Sequence, residues 1–169
     1  MEQALEDART LLETVTPLKR DCGRLCGARC CESLEGEETG MRLLPGEEEA
    51  YAGKPGWKLL TAERGMLAVC PGACERTDRP FACRVFPLIP EAAGDGNIQV
   101  RVDLRAAAVC PLARQGLSAM DPVFREAVRQ AGERLMSSPR LADTLREWTE
   151  EQAELREIRR KWGTVKQDV

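Results

Sequence analysis

The sequence predicts a mainly α protein with irregular, metal-stapled loops and room for one small β-hairpin, folded as a single compact domain. Three observations lead there. Apolar residues recur at helical spacing near both ends of the chain, prolines interrupt its middle, and eight cysteines fall into groups in a chain with no histidine. At 169 residues the chain suits one ordinary domain. Apolar residues make up 43% and charged residues 31%, a globular balance, while aromatics at 4% leave the core mainly aliphatic.

The elements follow in order. Residues 1–20 form an N-terminal helical segment, in which Ala4, Ala8, Leu11, Leu12, Val15 and Leu18 lie three and four residues apart and predict an amphipathic helix over 3–18. Residues 21–116 make a cysteine-cluster core. Within it, the acidic, glycine-rich stretch 32–56 predicts loops around one short helix. "GMLAVC" and "NIQVRV" read as short strands, with turn chemistry in "AAGDGN", and predict one hairpin or strand pair. Pro71, Pro80, Pro87 and Pro90 keep 70–90 from forming a long helix, so this loop region needs something to rigidify it. Residues 121–162 are helical. Asp121 and Pro122 make an N-cap and first-turn pair, and Phe124, Ala127, Val128, Ala131 and Leu135 share one face. After "SSP", a heptad-like seam of Leu141, Leu145, Trp148, Gln152, Leu155, Arg159 and Trp162 is expected to pack on its own domain, or otherwise on a partner helix.

Composition removes several function classes. The net charge of −3, with Arg and Glu interspersed, offers no continuous basic surface, so nucleic acid is not expected as a partner. The acidic, amphipathic start is unlike a signal peptide, and no apolar run is long enough to cross a bilayer, which predicts a soluble, cytoplasmic protein without a membrane partner. Cytosolic thiols are kept reduced, so recurring cysteines there point to metal binding or catalysis rather than disulfides.

The candidate metal ligands are Cys22, Cys26, Cys30, Cys31, Cys70, Cys74, Cys83 and Cys110. Their pattern is C-x3-C-x3-C-C, then C-x3-C-x8-C, then Cys110 before Pro111, which matches the arithmetic of two four-ligand sites. Short spacings let two thiolates from one turn reach the same ion, while the others arrive from elsewhere in the chain. A helix over 22–30 would place Cys22, Cys26 and Cys30 on one side and turn Cys31 toward a second site or the core. Gly23 and Gly27 equally suit a tight loop. Cys110, alone in an apolar run, also suits plain core packing. Arg20, Arg24, Arg29, Arg76, Arg79 and Arg84 flank the clusters, either as hydrogen-bond donors to thiolates or as surface arginines.

The segment "CPGACERTDRPFACRVFPLIP" resembles the second block of the YkgJ-like cysteine-cluster family, regarded as zinc- or iron-chelating, with Arg79, Pro80, Cys83, Arg84, Phe86 and Pro87 on the family pattern. The first block departs from the family's CxxCxxCC signature by one residue in each gap and keeps the terminal Cys pair. Spanning about residues 20–112, the resemblance implies a compact metal-binding domain with ligands in both blocks and at Cys110. It implies little about process. A more distant similarity runs to the cluster region of flagellin lysine N-methylases.

The leading expectation is therefore a metal-binding protein with Cys-thiolate zinc sites of mainly structural role, its only assigned partner being the metal ion. Iron or an iron-sulfur cluster is the alternative, since thiolates suit both. Without histidine the commonest general base is missing, and neither a Ser-His nor a Cys-His nucleophile can be built, which points away from an enzyme. Two further readings survive: an iron-sulfur redox or methyl-transfer role or a thiol redox sensor, and a metal-stabilised interaction module presenting 139–162 to a protein partner or second copy.

Overall fold

Two small antiparallel sheets stand among the helices, which corrects the expectation of a mainly α chain with one hairpin. The computed structural model describes residues 1–32, 40–72 and 74–164, with side chains as far as residue 161. Helix α1 spans Gln3–Leu11 and buries Leu5 and Ala8. It stops well short of residue 18. Thr14, Val15 and Thr16 are stiff at χ1 and precede Pro17, which disfavours helical geometry in the residue before it. Val15 and Leu18 still pack against the main core from the loop. One-turn α2 follows at Gly23–Cys26, ended by left-handed Gly27.

The first sheet comprises β1 (Met41–Arg42), β2 (Lys58–Ala62) and β3 (Gly65–Val69) in the order β1-β3-β2. Leu60 faces Leu67, and Met41 faces Ala68. The region between β1 and β2 has one 3-10 turn, Glu48–Ala50; the part of the acidic stretch at 33–39 lies outside the described residues. After β3, helix α3 (Phe81–Val85) leads into the second sheet, β4 (Leu88–Ala92) with β5 (Ile98–Val102). "GMLAVC" and "NIQVRV" do contain strands, but they do not pair with each other. Each pairs with a neighbour that the sequence hides: "KLLTA" lacks alternation, and "LIPEA" contains Pro90. Pro90 is tolerated because β4 has a sheet partner on one side only, so a missing N–H interrupts no second ladder.

Helix α4 (Pro111–Gln115) leads to the two long C-terminal helices, α5 (Pro122–Met136) and α6 (Pro139–Thr164). The Asp121 carboxylate caps α5 by accepting from the Val123 N–H at 2.8 Å, and Pro122 occupies the first turn. All five apolar positions expected on its face are buried. They meet α1 and the second sheet. A Cβ on Gly132 would lie 2.8 Å from both Pro90 Cβ and Ile98 Cγ2, so helix and sheet approach there as closely as glycine allows. On α6, Leu141, Leu145, Trp148 and Gln152 are buried within the chain's own fold. Past Gln152 the helix is progressively exposed: Leu155 is half-buried and Arg159 exposed, while the Trp162 side chain lies outside the described residues. Gln152 is a polar seam residue with defined partners, Asp103 Oδ1 at 2.9 Å and the Leu104 N–H at 3.1 Å.

One buried carboxylate ties these parts together. Glu47 is wholly buried and accepts from Arg9 Nη1 at 2.8 Å, the Leu44 N–H at 2.9 Å and the Phe81 N–H at 2.8 Å. The last bond satisfies an amide in the first turn of α3, the helix that carries Cys83. Among the described residues, no helix is long and apolar enough to cross a membrane.

Candidate metal centre

All eight cysteines are free thiols, delivered by three stretches of chain. In the first stretch, α2 lifts Cys26 one turn above Cys22, and left-handed Gly27 (φ 66°) and Ala28 (φ 57°) then reverse the path into a 3-10 turn at Arg29–Cys31. The first block is thus neither the continuous helix nor the plain loop that its spacing allowed. Ala28 is the one non-glycine at positive φ among the described residues, a conformation costing an L-residue about 1–2 kcal/mol. In the second stretch, β3 runs out toward Cys70, the chain turns through Cys74, and α3 places Cys83 in its middle. In the third, Cys110 occupies the position just before α4 and is buried, its N–H donating to the Ala106 carbonyl at 2.8 Å.

Cys30, Cys31, Cys70, Cys74 and Cys83 line one cavity of about 100 Å³. Arg79 is the cation in its wall, and Met41, Trp57, Ala68 and Phe86 make the apolar side. The electrostatics follow from that crowding. Burial raises the Cys83 thiol well above the ordinary range, and Cys31, Cys74 and Cys70 push it further in the same direction. Cys74 is also raised by burial, opposed by a hydrogen bond and charge from Arg79. Cys31 is lowered, first by its hydrogen bond with Cys30 and then, against burial, by Arg79; Cys30 is raised by that same bond. Cys22 is raised by burial, then by Asp21, Cys110 and Cys26.

The flanking arginines divide by role. Arg79 alone stands in the thiol wall, with its Nε buried and without a hydrogen-bond partner. Arg76 instead clasps the carbonyls of Leu12, Glu13 and Val15, and Arg84 those of Arg9, Thr77 and Arg79. These two hold the loop after Cys74 against α1. Arg20, Arg24 and Arg29 are exposed. Trp57 and Met41, which stand in no motif, were not legible as cavity residues.

Among the described residues, no group of three or more cysteine or carboxylate side chains is drawn together closely enough to hold an ion as it stands. The thiols surround a shared space rather than a point. The donor set nevertheless suits a thiophilic metal: five thiols from two distant segments, an adjacent guanidinium to offset thiolate charge, and a partly apolar wall. The chain matches no family model, and no curated protein or solved structure is detectably similar to it.

Proposed function

We propose that the protein binds a metal ion through Cys31, Cys70, Cys74 and Cys83, that the ion is zinc, and that its role is mainly structural. The observation carrying this reading is the shared cavity, where thiols separated by up to 53 positions in sequence, Cys30 to Cys83, form one wall. It also agrees with the motif resemblance to the YkgJ-like cysteine-cluster family. A tetrathiolate zinc centre carries two negative charges, and Arg79 stands where it can donate to sulfur. The bound ion would join the 29–31 turn, the end of β3 and α3. Binding of this kind contributes on the order of 10 kcal/mol of folding free energy in small zinc peptides.

The test is metal analysis of protein purified without air, with its visible spectrum. Colourless protein containing zinc, lost in Cys83→Ser, supports the proposal. Brown protein with iron and acid-labile sulfide overturns the choice of metal. Protein that is folded and metal-free even after incubation with zinc overturns metal binding altogether.

A further inference from the structure

We infer that the free edge of β5 docks a second copy of this chain, pairing β5 with β5 antiparallel about Val100 and joining two two-stranded sheets into one of four strands. This surface lies apart from the thiol cavity, none of whose lining residues belongs to β4 or β5. The direction of the backbone amides defines it. Just beyond the two ends of the β4–β5 ladder, the Ala93 N–H donates to the Asn97 carbonyl at 2.8 Å and the Asp103 N–H to the Pro87 carbonyl at 3.0 Å. Bonded and non-bonded pairs alternate along an antiparallel ladder, so Glu91–Gln99 and Ile89–Arg101 are the bonded pairs in between. Ile98, Val100 and Val102 therefore turn their N–H and C=O groups away from β4.

The two edges of this sheet differ. On β4, the outward Ala92 N–H donates to Thr149 Oγ1 of α6 at 2.9 Å, and Pro90 has no N–H to offer. On β5, among the described residues, no partner meets the outward groups. Neither a proline nor a bulge blunts this edge, and its one charged residue, Arg101, lies 3.3 Å from Glu91. Val100 and Val102 are half-buried at the margin of the main core, while Gln99 and Arg101 are exposed on the opposite face.

The occupant follows from the strand's complementarity to itself. A two-fold axis at Val100 sets Val100 opposite Val100, Ile98 opposite Val102, and Gln99 opposite Arg101. The apolar row then continues from one copy to the next, and each outward pair exchanges N–H···O=C bonds in both directions. Gln99 Oε1, which accepts from Arg101 Nη2 of its own strand at 2.8 Å, faces Arg101 of the second copy as well. Centring the pairing on Arg101 would set two arginines face to face, and centring it on Gln99 would run it into the turn at Gly96. With five residues a side, against roughly 20–30 in a standard interface, the dimer is weak and dissociates on dilution.

Sedimentation equilibrium of the full chain in reducing buffer, from micromolar to millimolar concentration, tests this. The expected result is a reversible monomer–dimer equilibrium, with the amides of Ile98, Val100 and Val102 slow to exchange with solvent in the dimer and fast in the monomer. Val100→Pro deletes an outward N–H and spares the β4 ladder, so it should keep a cooperative thermal melt and lose the dimer. Gln99→Lys changes an exposed side chain and puts like charges opposite each other at two symmetric points, which should weaken the dimer about 2- to 30-fold even if Val100→Pro fails to fold. A chain that stays monomeric throughout overturns the inference. So does a dimer that Gln99→Lys leaves unchanged, or one that a folded Val100→Pro retains. Edge amides that exchange at the same rate in monomer and dimer overturn it too, since the dimer would then form elsewhere.

Discussion

Replacing Glu47 by alanine would expose how far the thiol cavity depends on a carboxylate that touches none of the cysteines. Glu47 is wholly buried and satisfies three donors: the Arg9 guanidinium, the Leu44 N–H and the Phe81 N–H. Removing one member of a buried pair typically costs about 3–5 kcal/mol, because the charge left behind has no counterpart. Each orphaned amide adds about 1–3 kcal/mol if it stays dry. Arg9 is 9% exposed and also lies 3.5 Å from the Thr77 carbonyl, so water and that carbonyl recover part of the loss. A net cost of about 4 kcal/mol follows, equivalent to a fall in Tm of about 8–16 °C for a chain of this size. Arg9→Met is the informative companion. It leaves Glu47 its two amide donors, and because burial already raises the Glu47 carboxyl, that group can protonate rather than remain as an unpaired anion. Arg9→Met should therefore cost less than Glu47→Ala. Urea denaturation of the reduced, metal-free protein measures both. Equal losses in the two variants, or a loss below about 1 kcal/mol in Glu47→Ala, would refute the argument that the amides, and not the ion pair alone, make this residue costly to remove.

Three other outcomes are expected. Gly132→Ala introduces a Cβ 2.8 Å from Pro90 and Ile98, and overpacking of this kind should lower stability by about 1–3 kcal/mol in thermal melts; an unchanged Tm would mean that helix and sheet separate freely. In the metal-free protein, burial holds the Cys22, Cys74 and Cys83 thiols above their ordinary range, so the folded state keeps protons that an unfolded thiol releases near pH ~8.5. That stability is present below about pH 8.5 and is lost as pH rises, while lowered Cys31 has completed its opposite contribution by then; a urea midpoint that stays level or climbs between about pH 8 and pH 10 would contradict the sign. Asp103→Ala removes the carboxylate that accepts from the Arg105 N–H and from Gln152 ahead of Cys110, and should cost about 1–3 kcal/mol, with weaker zinc retention on competition with a chelator.

How much of this could be read from residues alone depended on whether the signal was local. Asp121-Pro122 and the spacing from Phe124 to Leu135 are local, and they give α5 its start and its buried face as expected. The strands of the second sheet were half hidden, because Pro90 argues against a strand until the sheet is known to have an edge at that position. The cysteines announced their chemistry, but their grouping could not be derived from spacing. Cys30 and Cys31 both reach the cavity that Cys70, Cys74 and Cys83 line, just after two left-handed residues reverse the chain, and spacing alone does not show that reversal. The arginines show the same limit: Arg76, Arg79 and Arg84 look alike in the motif, and only tertiary contacts assign Arg79 to sulfur and the other two to backbone carbonyls.

The three-stranded sheet has a small apolar cluster of its own, Leu43, Tyr51 and Ala68, with Trp57, Leu59 and Met66 against it. Its links to the rest of the chain are largely polar: Arg42 to Glu147 and Glu151 on α6, Arg64 to Glu151, and the Tyr51 hydroxyl donating to the Asp78 carbonyl. A small apolar cluster of its own and mainly polar links to its surroundings are the attributes of a segment that opens by itself before the whole molecule unfolds. Amide hydrogens of Lys58–Val69 should thus exchange with solvent sooner than those of α5. Cys70 hangs from the end of this opening unit while Cys83 belongs to the slower body, so an ion held between them would set the rate at which the two parts separate.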